Sequence, residues 1–159
     1  MSIKVRCFSL FLAVCGQAYA LDHASHPMQQ TAGSGGLKCP SRDFSKFIQA
    51  FSENKDVQIK FTKYPLKEQV LDLNAEPEPK PVMRTLRRDQ ISFPVMPGEA
   101  DRKKWNLIFR IDEIKSNRAK VNVMSDDSDS FVVDYFFVLD SCWYLKRMED
   151  SSFVIRDDL

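Results

Sequence analysis

One acidic residue stands inside the most apolar run of the sequence. Asp134 lies between Val133 and Tyr135, within residues 131–139. A buried carboxylate costs free energy unless it is paired or hydrogen-bonded, so two interpretations follow. Either an ion pair or a strand bulge satisfies Asp134 structurally, or Asp134 is the acid–base group of a pocket. In the second case Tyr64 or Tyr135 is the side chain that we expect to assist it.

The residue types that usually accompany a catalytic carboxylate are scarce. The two histidines, His23 and His26, stand near the start of the chain, which leaves the rest without the usual general base and without Ser–His or Cys–His pairs. No phosphate-binding or dinucleotide-binding glycine motif is present, and the chain has only five glycines. We therefore favour the structural interpretation of Asp134 and predict a non-catalytic protein with no cofactor.

The first twenty residues have the pattern of an export signal. Lys4 and Arg6 precede an uncharged apolar run at residues 7–14, and Ala18-Tyr19-Ala20 is a small-x-small motif of the kind that signal peptidase cleaves. We predict that residues 1–20 are a signal peptide and that the protein is periplasmic or secreted.

A lipid anchor through Cys15 is the alternative. Lipoprotein processing needs a small residue just before the modified cysteine, and here bulky Val14 occupies that position. We therefore favour cleavage after Ala20 over lipid attachment.

Cleavage after Ala20 leaves two of the four cysteines, Cys39 and Cys142. An even number of cysteines in an oxidising compartment favours a disulfide over a metal site or a catalytic thiol. Two unpaired buried thiols are the alternative. A bridge would close a loop of about 100 residues, which stabilises a domain by up to about 4.7 kcal/mol in the chain-entropy account.

The same cleavage would place a histidine third in the mature chain, after Leu21 and Asp22. The amine of Leu21, two backbone amides and the imidazole of His23 then offer four nitrogens in a plane, which suits Cu(II) or Ni(II). We predict such binding in vitro and regard it as a minor alternative function, because any exposed third-position histidine has this property.

Charge and length limit the classes of partner. Removing residues 1–20 changes 23 basic residues against 22 acidic ones into 21 against 22. This balance gives no electrostatic case for binding nucleic acid or an anionic membrane, and no later segment is long and apolar enough to predict a membrane span. We predict a flexible leader at 21–37, a single α+β domain at 38–150 and a C-terminal tail at 151–159.

Apolar spacing predicts helices first and strands later. One stripe predicts a helix that begins at Ser41, and it consists of Phe44, Phe47, Ile48 and Phe51. A shorter stripe predicts a second helix up to Pro65, and it consists of Val57, Phe61 and Tyr64. Prolines alternate with charges at 75–82, which predicts an extended spacer or a sheet edge, with a docking peptide as the alternative.

The C-terminal half predicts an antiparallel meander. Its four apolar runs are joined by short polar turns, at residues 107–114, 119–124, 131–139 and 142–148. The third run is apolar on both faces, so we expect it in the middle of a sheet with other elements packed on each side.

Three stretches carry a family resemblance: Cys39-Pro40-Ser41-Arg42-Asp43-Phe44, Tyr64-Pro65-Leu66 and Cys142-Trp143-Tyr144-Leu145-Lys146-Arg147-Met148-Glu149. With two helices before a final meander, the chain resembles a family of uncharacterised secreted bacterial domains, domain of unknown function 4348, over most of residues 39–150. The resemblance implies a nuclear-transport-factor-2-like (NTF2-like), or cystatin-like, α+β cone in which N-terminal helices pack on a curved antiparallel sheet. It implies a pocket or a sheet face for binding and assigns no chemistry.

Two function hypotheses follow. The first is an exported, non-catalytic domain that binds a protein partner in the cell envelope, for example as an immunity-type inhibitor of a toxin. The alternative is a small-molecule-binding or lyase- or isomerase-like domain with Asp134 in its pocket.

Overall fold

The computed structural model describes residues 37–128 and 130–153. Helices come first and strands dominate the rest, in the order α1 (Phe44–Glu53), α2 (Lys55–Lys60), β1 (Thr62–Asp72), β2 (Lys80–Leu86), a 3₁₀ turn (Arg88–Gln90), α3 (Glu99–Lys104), β3 (Leu107–Lys115), β4 (Arg118–Ser125), β5 (Val132–Leu139) and β6 (Trp143–Asp150). Within these ranges, no helix is long and apolar enough to cross a membrane. The predicted signal peptide, most of the leader and the last six residues of the tail lie outside the described residues.

The six strands form one sheet in the order β2-β1-β6-β5-β4-β3. The predicted meander is confirmed, because β3, β4, β5 and β6 pair as antiparallel neighbours. The sheet is nevertheless mixed, since β1 pairs with β6 in parallel. The chain crosses from β2 through the 3₁₀ turn and α3 to the far edge of the sheet, and the meander then returns beside β1 in the same direction.

Helix α1 carries the predicted apolar stripe, and all four of its members are buried. The helix begins later than predicted, because Asp43 rather than Ser41 is the N-cap. The Asp43 carboxylate accepts a hydrogen bond from the backbone N–H of Lys46 at 3.1 Å. The Ser41 hydroxyl instead accepts a hydrogen bond at 3.0 Å from the N–H of Asp43, the residue that precedes the helix.

Helix α2 ends at Lys60 rather than continuing to Pro65. The Phe61 carbonyl accepts a hydrogen bond from the Leu145 N–H at 2.8 Å, so the chain joins β6 as soon as the helix stops. Tyr64 and Pro65 therefore lie in β1, where sheet pairing has overridden the helical spacing of the side chains.

The core lies between the helices and one face of the sheet. Phe44 contacts the rings of Phe137 and Trp143, with ring centroids 5.4 and 4.9 Å apart, and Phe51 packs on Phe137 at 5.2 Å. These edge-on aromatic contacts join α1 to the middle strands β5 and β6.

Cys39 and Cys142 form a disulfide, which confirms the predicted pair, and their Cα atoms are 5.6 Å apart. Two further contacts reinforce this connection. The Trp143 indole donates to the Arg42 carbonyl at 2.8 Å, and the Arg42 guanidinium donates to the carbonyl oxygens of Asp140 and Ser141 at 3.3 Å. The segment before α1 is thus fastened to the start of β6.

Candidate functional site

The two faces of β5 have different surroundings. Val133, Tyr135 and Phe137 are buried against the helices, whereas Asp134 and Phe136 point to the opposite face and are half-buried. The prediction that β5 lies in mid-sheet is confirmed, but the described helices pack on one face only. Long side chains from neighbouring strands cover the other face in place of a second layer. We call this other face the open face.

Strand register brings an aromatic residue and three basic residues into one row on the open face. Lys67 of β1 pairs with Arg147 of β6, Arg147 pairs with Phe136 of β5, and Phe136 pairs with Lys120 of β4. Neighbouring strands lie about 4.8 Å apart, so these four side chains stand side by side although they are distant in the sequence.

Phe136 is held between two cations. The Arg147 guanidinium lies 3.9 Å from the centroid of the Phe136 ring, and the Lys120 ammonium lies 5.8 Å from it. Cation–π contacts of this kind contribute about 0.5–1 kcal/mol each at exposed sites. They fix the ring while leaving it half-buried, so Phe136 offers a positioned apolar surface.

A bulge in β6 adds a further cation. The pairing shifts between Phe136–Arg147 and Phe137–Leu145, so Lys146 is an extra residue. A bulge of this type turns two consecutive side chains toward one face, and Lys146 and Arg147 indeed line the same groove.

Asp134 is fully partnered on the open face. Its carboxylate lies 3.0 Å from the Lys120 ammonium and accepts a hydrogen bond from the Asn122 amide at 2.9 Å. Lys120 also faces Asp112 at 3.4 Å. Partial burial lowers the pKa of Lys120, but the hydrogen bonds and charges of Asp134 and Asp112 outweigh it, so the pKa is raised.

The two tyrosines considered as partners of Asp134 lie elsewhere. Tyr135 follows Asp134 in the strand and points to the helix side, where its hydroxyl donates to the Val95 carbonyl at 2.9 Å. The Tyr64 hydroxyl donates to the Ile59 carbonyl at 2.9 Å. Burial raises the pKa of Tyr64, although Arg88 opposes this. The structure therefore does not bring these side chains together as an acid–base set.

Sequence reasoning missed a buried amide, Gln58. Its side-chain oxygen accepts from the backbone N–H groups of Val95 and Met96 at 2.7 and 3.1 Å, and its amide donates to the Met96 carbonyl at 2.9 Å. Gln58 is fully buried, so it fastens the irregular segment before α3 to α2. A single glutamine in a short helix carries no sequence signal for this role.

A groove of about 490 Å³ runs over the open face, and five of the eleven residues that line it are basic. Its cationic members are Lys67, Arg118, Lys120, Lys146 and Arg147, and its one acidic member is Glu113. Sequence reasoning missed this groove because its cations are scattered over three strands and become neighbours only after the sheet pairs.

The predicted copper or nickel site lies outside the described residues, since it consists of Leu21, Asp22 and His23. Within residues 37–128 and 130–153, no three histidine, cysteine, aspartate or glutamate side chains are grouped as a metal site.

No protein-family model and no curated protein matches the sequence. Among solved structures, the chain is similar to an NTF2-like protein from Bacteroides fragilis, with 17% sequence identity and a TM-score of 0.52. The likeness covers 74% of this chain and 50% of that one, so this chain spans about half the length of its structural neighbour. Such a likeness shows the fold and carries no function. The protein therefore has an NTF2-like α+β fold.

Proposed function

We propose that this protein is an exported, non-catalytic domain that binds a protein partner in the cell envelope through the open face. The observation that carries the proposal is Phe136, an apolar ring fixed between Arg147 and Lys120 on a face that no described helix covers. Protein interfaces are enriched in aromatic residues and arginine, surrounded by a polar rim. On the open face Phe136 lies beside Arg147, with charged side chains around them.

Export to the periplasm is supported by two independent features. The signal-like pattern of residues 1–20 is one. The Cys39–Cys142 disulfide is the other, because it is consistent with an oxidising compartment outside the cytoplasm.

An immunity-type inhibitor of a toxin is the concrete form of this function. A small non-catalytic domain with one adhesive face suits that role, and the resemblance to the uncharacterised secreted bacterial family supports it only as far as export and fold. A toxin gene beside the gene for this protein would support this form, and a partner with no toxic activity would exclude it.

Photo-crosslinking in the native host tests the proposed surface. A benzoylphenylalanine residue is placed at Val138, which lines the groove beside Phe136, and in a second variant at Lys46, which is exposed on α1. We expect one dominant crosslinked protein from position 138 and none from position 46. Equal crosslinking from both positions, or none from position 138, would contradict the proposal.

A small-molecule-binding or lyase- or isomerase-like domain is the second candidate. One observation favours it: the Asp134 side chain keeps 21% of its surface exposed, so a ligand on the open face could reach it. The dispersal of Tyr64 and Tyr135 counts against it. Copper or nickel binding at Leu21, Asp22 and His23 stays a minor proposal, tested by whether the isolated protein begins at Leu21.

A further inference from the structure

The cations of the groove divide into two groups according to their partners. Lys120 is paired with Asp134 and Asp112, and Arg147 is paired with Glu149. In contrast, Lys67, Arg118 and Lys146 are exposed. Within the described ranges, no carboxylate lies in ion-pair distance of these three side chains, and Glu113, the acid of the groove, is itself paired with Lys115.

We infer that the occupant of this groove is an acidic, extended segment of a partner protein with an apolar side chain between its carboxylates. The inference rests on the proposed function and names the chemistry of the partner. The three exposed cations would meet the carboxylates, and Phe136 would meet the apolar side chain. Complementary charge at such a surface governs which partner binds and how fast.

The spacing of the cations determines the shape of the occupant. Lys67 lies on β1 and Arg118 on β4, and the strand order separates these strands by three intervals, or about 14 Å. About four residues of extended chain cover that distance. Phe136 lies on β5, between the two ends, so the apolar residue of the segment belongs in its middle.

Nucleic acid is a poorer fit than an acidic peptide. The processed chain, with 21 basic residues against 22 acidic ones, carries a formal charge of −1. Glu113, Asp134 and Glu149 also face the same side of the sheet in the rows around Phe136. A continuous phosphate backbone would meet these carboxylates as well as the cations. A short peptide can place its few charges on the cations alone.

Fluorescence anisotropy with a defined probe tests the inference. The probe is the fluorescein-labelled peptide Glu-Glu-Leu-Glu-Glu, titrated with the processed protein at low ionic strength. We expect saturable binding that weakens as salt is raised. Combining Lys67→Glu, Arg118→Glu and Lys146→Glu should weaken binding about tenfold, because three ion pairs are lost and each new carboxylate repels the acidic peptide.

A matched control carries the same change in net charge on the other side of the domain: Lys38→Glu, Lys46→Glu and Lys55→Glu, all at exposed positions. Equal loss of binding in both triple variants would overturn the inference, as would tighter binding of an oligothymidylate of equal charge. Thermal melts of both variants ensure that a loss reflects binding rather than unfolding.

Failure of this inference is distinguishable from failure of the proposed function. If the photo-crosslink at Val138 persists in the variant with Lys67→Glu, Arg118→Glu and Lys146→Glu, the partner is not acidic but the open face still binds a protein. If no crosslink forms in the wild type, the proposed function itself fails, whatever the peptide does.

Discussion

At the scale of the residue, Asp134 illustrates how a carboxylate inside an apolar run is satisfied. Alternation along β5 points Asp134 away from the core. On the open face it contacts Lys120 and Asn122. A sequence could show that Asp134 needs a partner, but Lys120 becomes that partner only through the β4–β5 register. Sequence reasoning therefore recognised the requirement and could not name the residue that meets it.

The Asp134–Lys120 pair gives a prediction about pH. We expect Asp134→Asn to lower the free energy of unfolding by about 1 kcal/mol at neutral pH, measured by urea denaturation. The folded protein raises the pKa of Lys120 above its ordinary 10.5. The stabilisation is therefore complete at pH values below the pKa of Lys120 in the unfolded chain. It is lost as the pH rises through the higher pKa of Lys120 in the folded protein.

The control for this pair is Lys120→Met. In that background Asp134→Asn should cost clearly less than in the wild type, because the shared interaction is already gone. If Asp134→Asn leaves stability unchanged yet abolishes the binding of a small ligand, the structural interpretation of Asp134 is wrong. That result would favour the hypothesis that Asp134 is the acid–base group of a pocket.

Gln58 gives a second residue-scale prediction. Gln58→Leu removes the acceptor for the N–H groups of Val95 and Met96, and the buried donors left behind should destabilise the domain by about 2–3 kcal/mol. Gln49→Leu, at an exposed position on α1, should change stability by less than about 0.5 kcal/mol. Equal effects of the two substitutions, measured by thermal unfolding, would show that Gln58 is not an anchor.

At the scale of the element, periodic segments were predicted well and their boundaries less so. The α1 stripe and the four meander strands follow from local spacing, and the structure has them. The first turn of α1 was misplaced because Ser41 and Asp43 are both good N-caps and only the structure shows which one caps. The start of β1 was assigned to the second helix, because the pairing of β1 with β6, far along the chain, decides where α2 ends.

The disulfide acts between elements, so its removal tests their connection. We expect the combined Cys39→Ser and Cys142→Ser variant to fold and to lose about 2–4 kcal/mol of stability, because the bridge closes a loop with a sequence separation of 103 residues. Reductant should lower the stability of the wild type to that of the variant and leave the variant unchanged. A variant as stable as the oxidised wild type would mean that the Arg42 and Trp143 hydrogen bonds alone hold the segment before α1 on β6, without a contribution from the disulfide.

At the scale of the whole molecule, the fold was predictable and the binding surface was not. Helices followed by a meander, together with the family resemblance, predicted the NTF2-like cone that the structural neighbour supports. The groove escaped prediction because its cations come from β1, β4 and β6. Strand register places Lys120 and Arg147 beside Phe136, and a bulge adds Lys146. Assembled sheet faces, rather than local motifs, carry this information.

The most direct measurement of the central claim is a native mass spectrum of the untagged, unreduced protein isolated from its own envelope, as wild type and as Phe136→Ala. We predict that the wild-type protein is isolated in complex with a partner protein and that the Phe136→Ala variant is isolated without it. Circular dichroism should show that the variant keeps its fold. The same spectrum should show a chain that begins at Leu21 and lacks two hydrogens for the bridge. A bare or small-ligand-bearing chain in both samples would contradict the claim that the open face binds a protein.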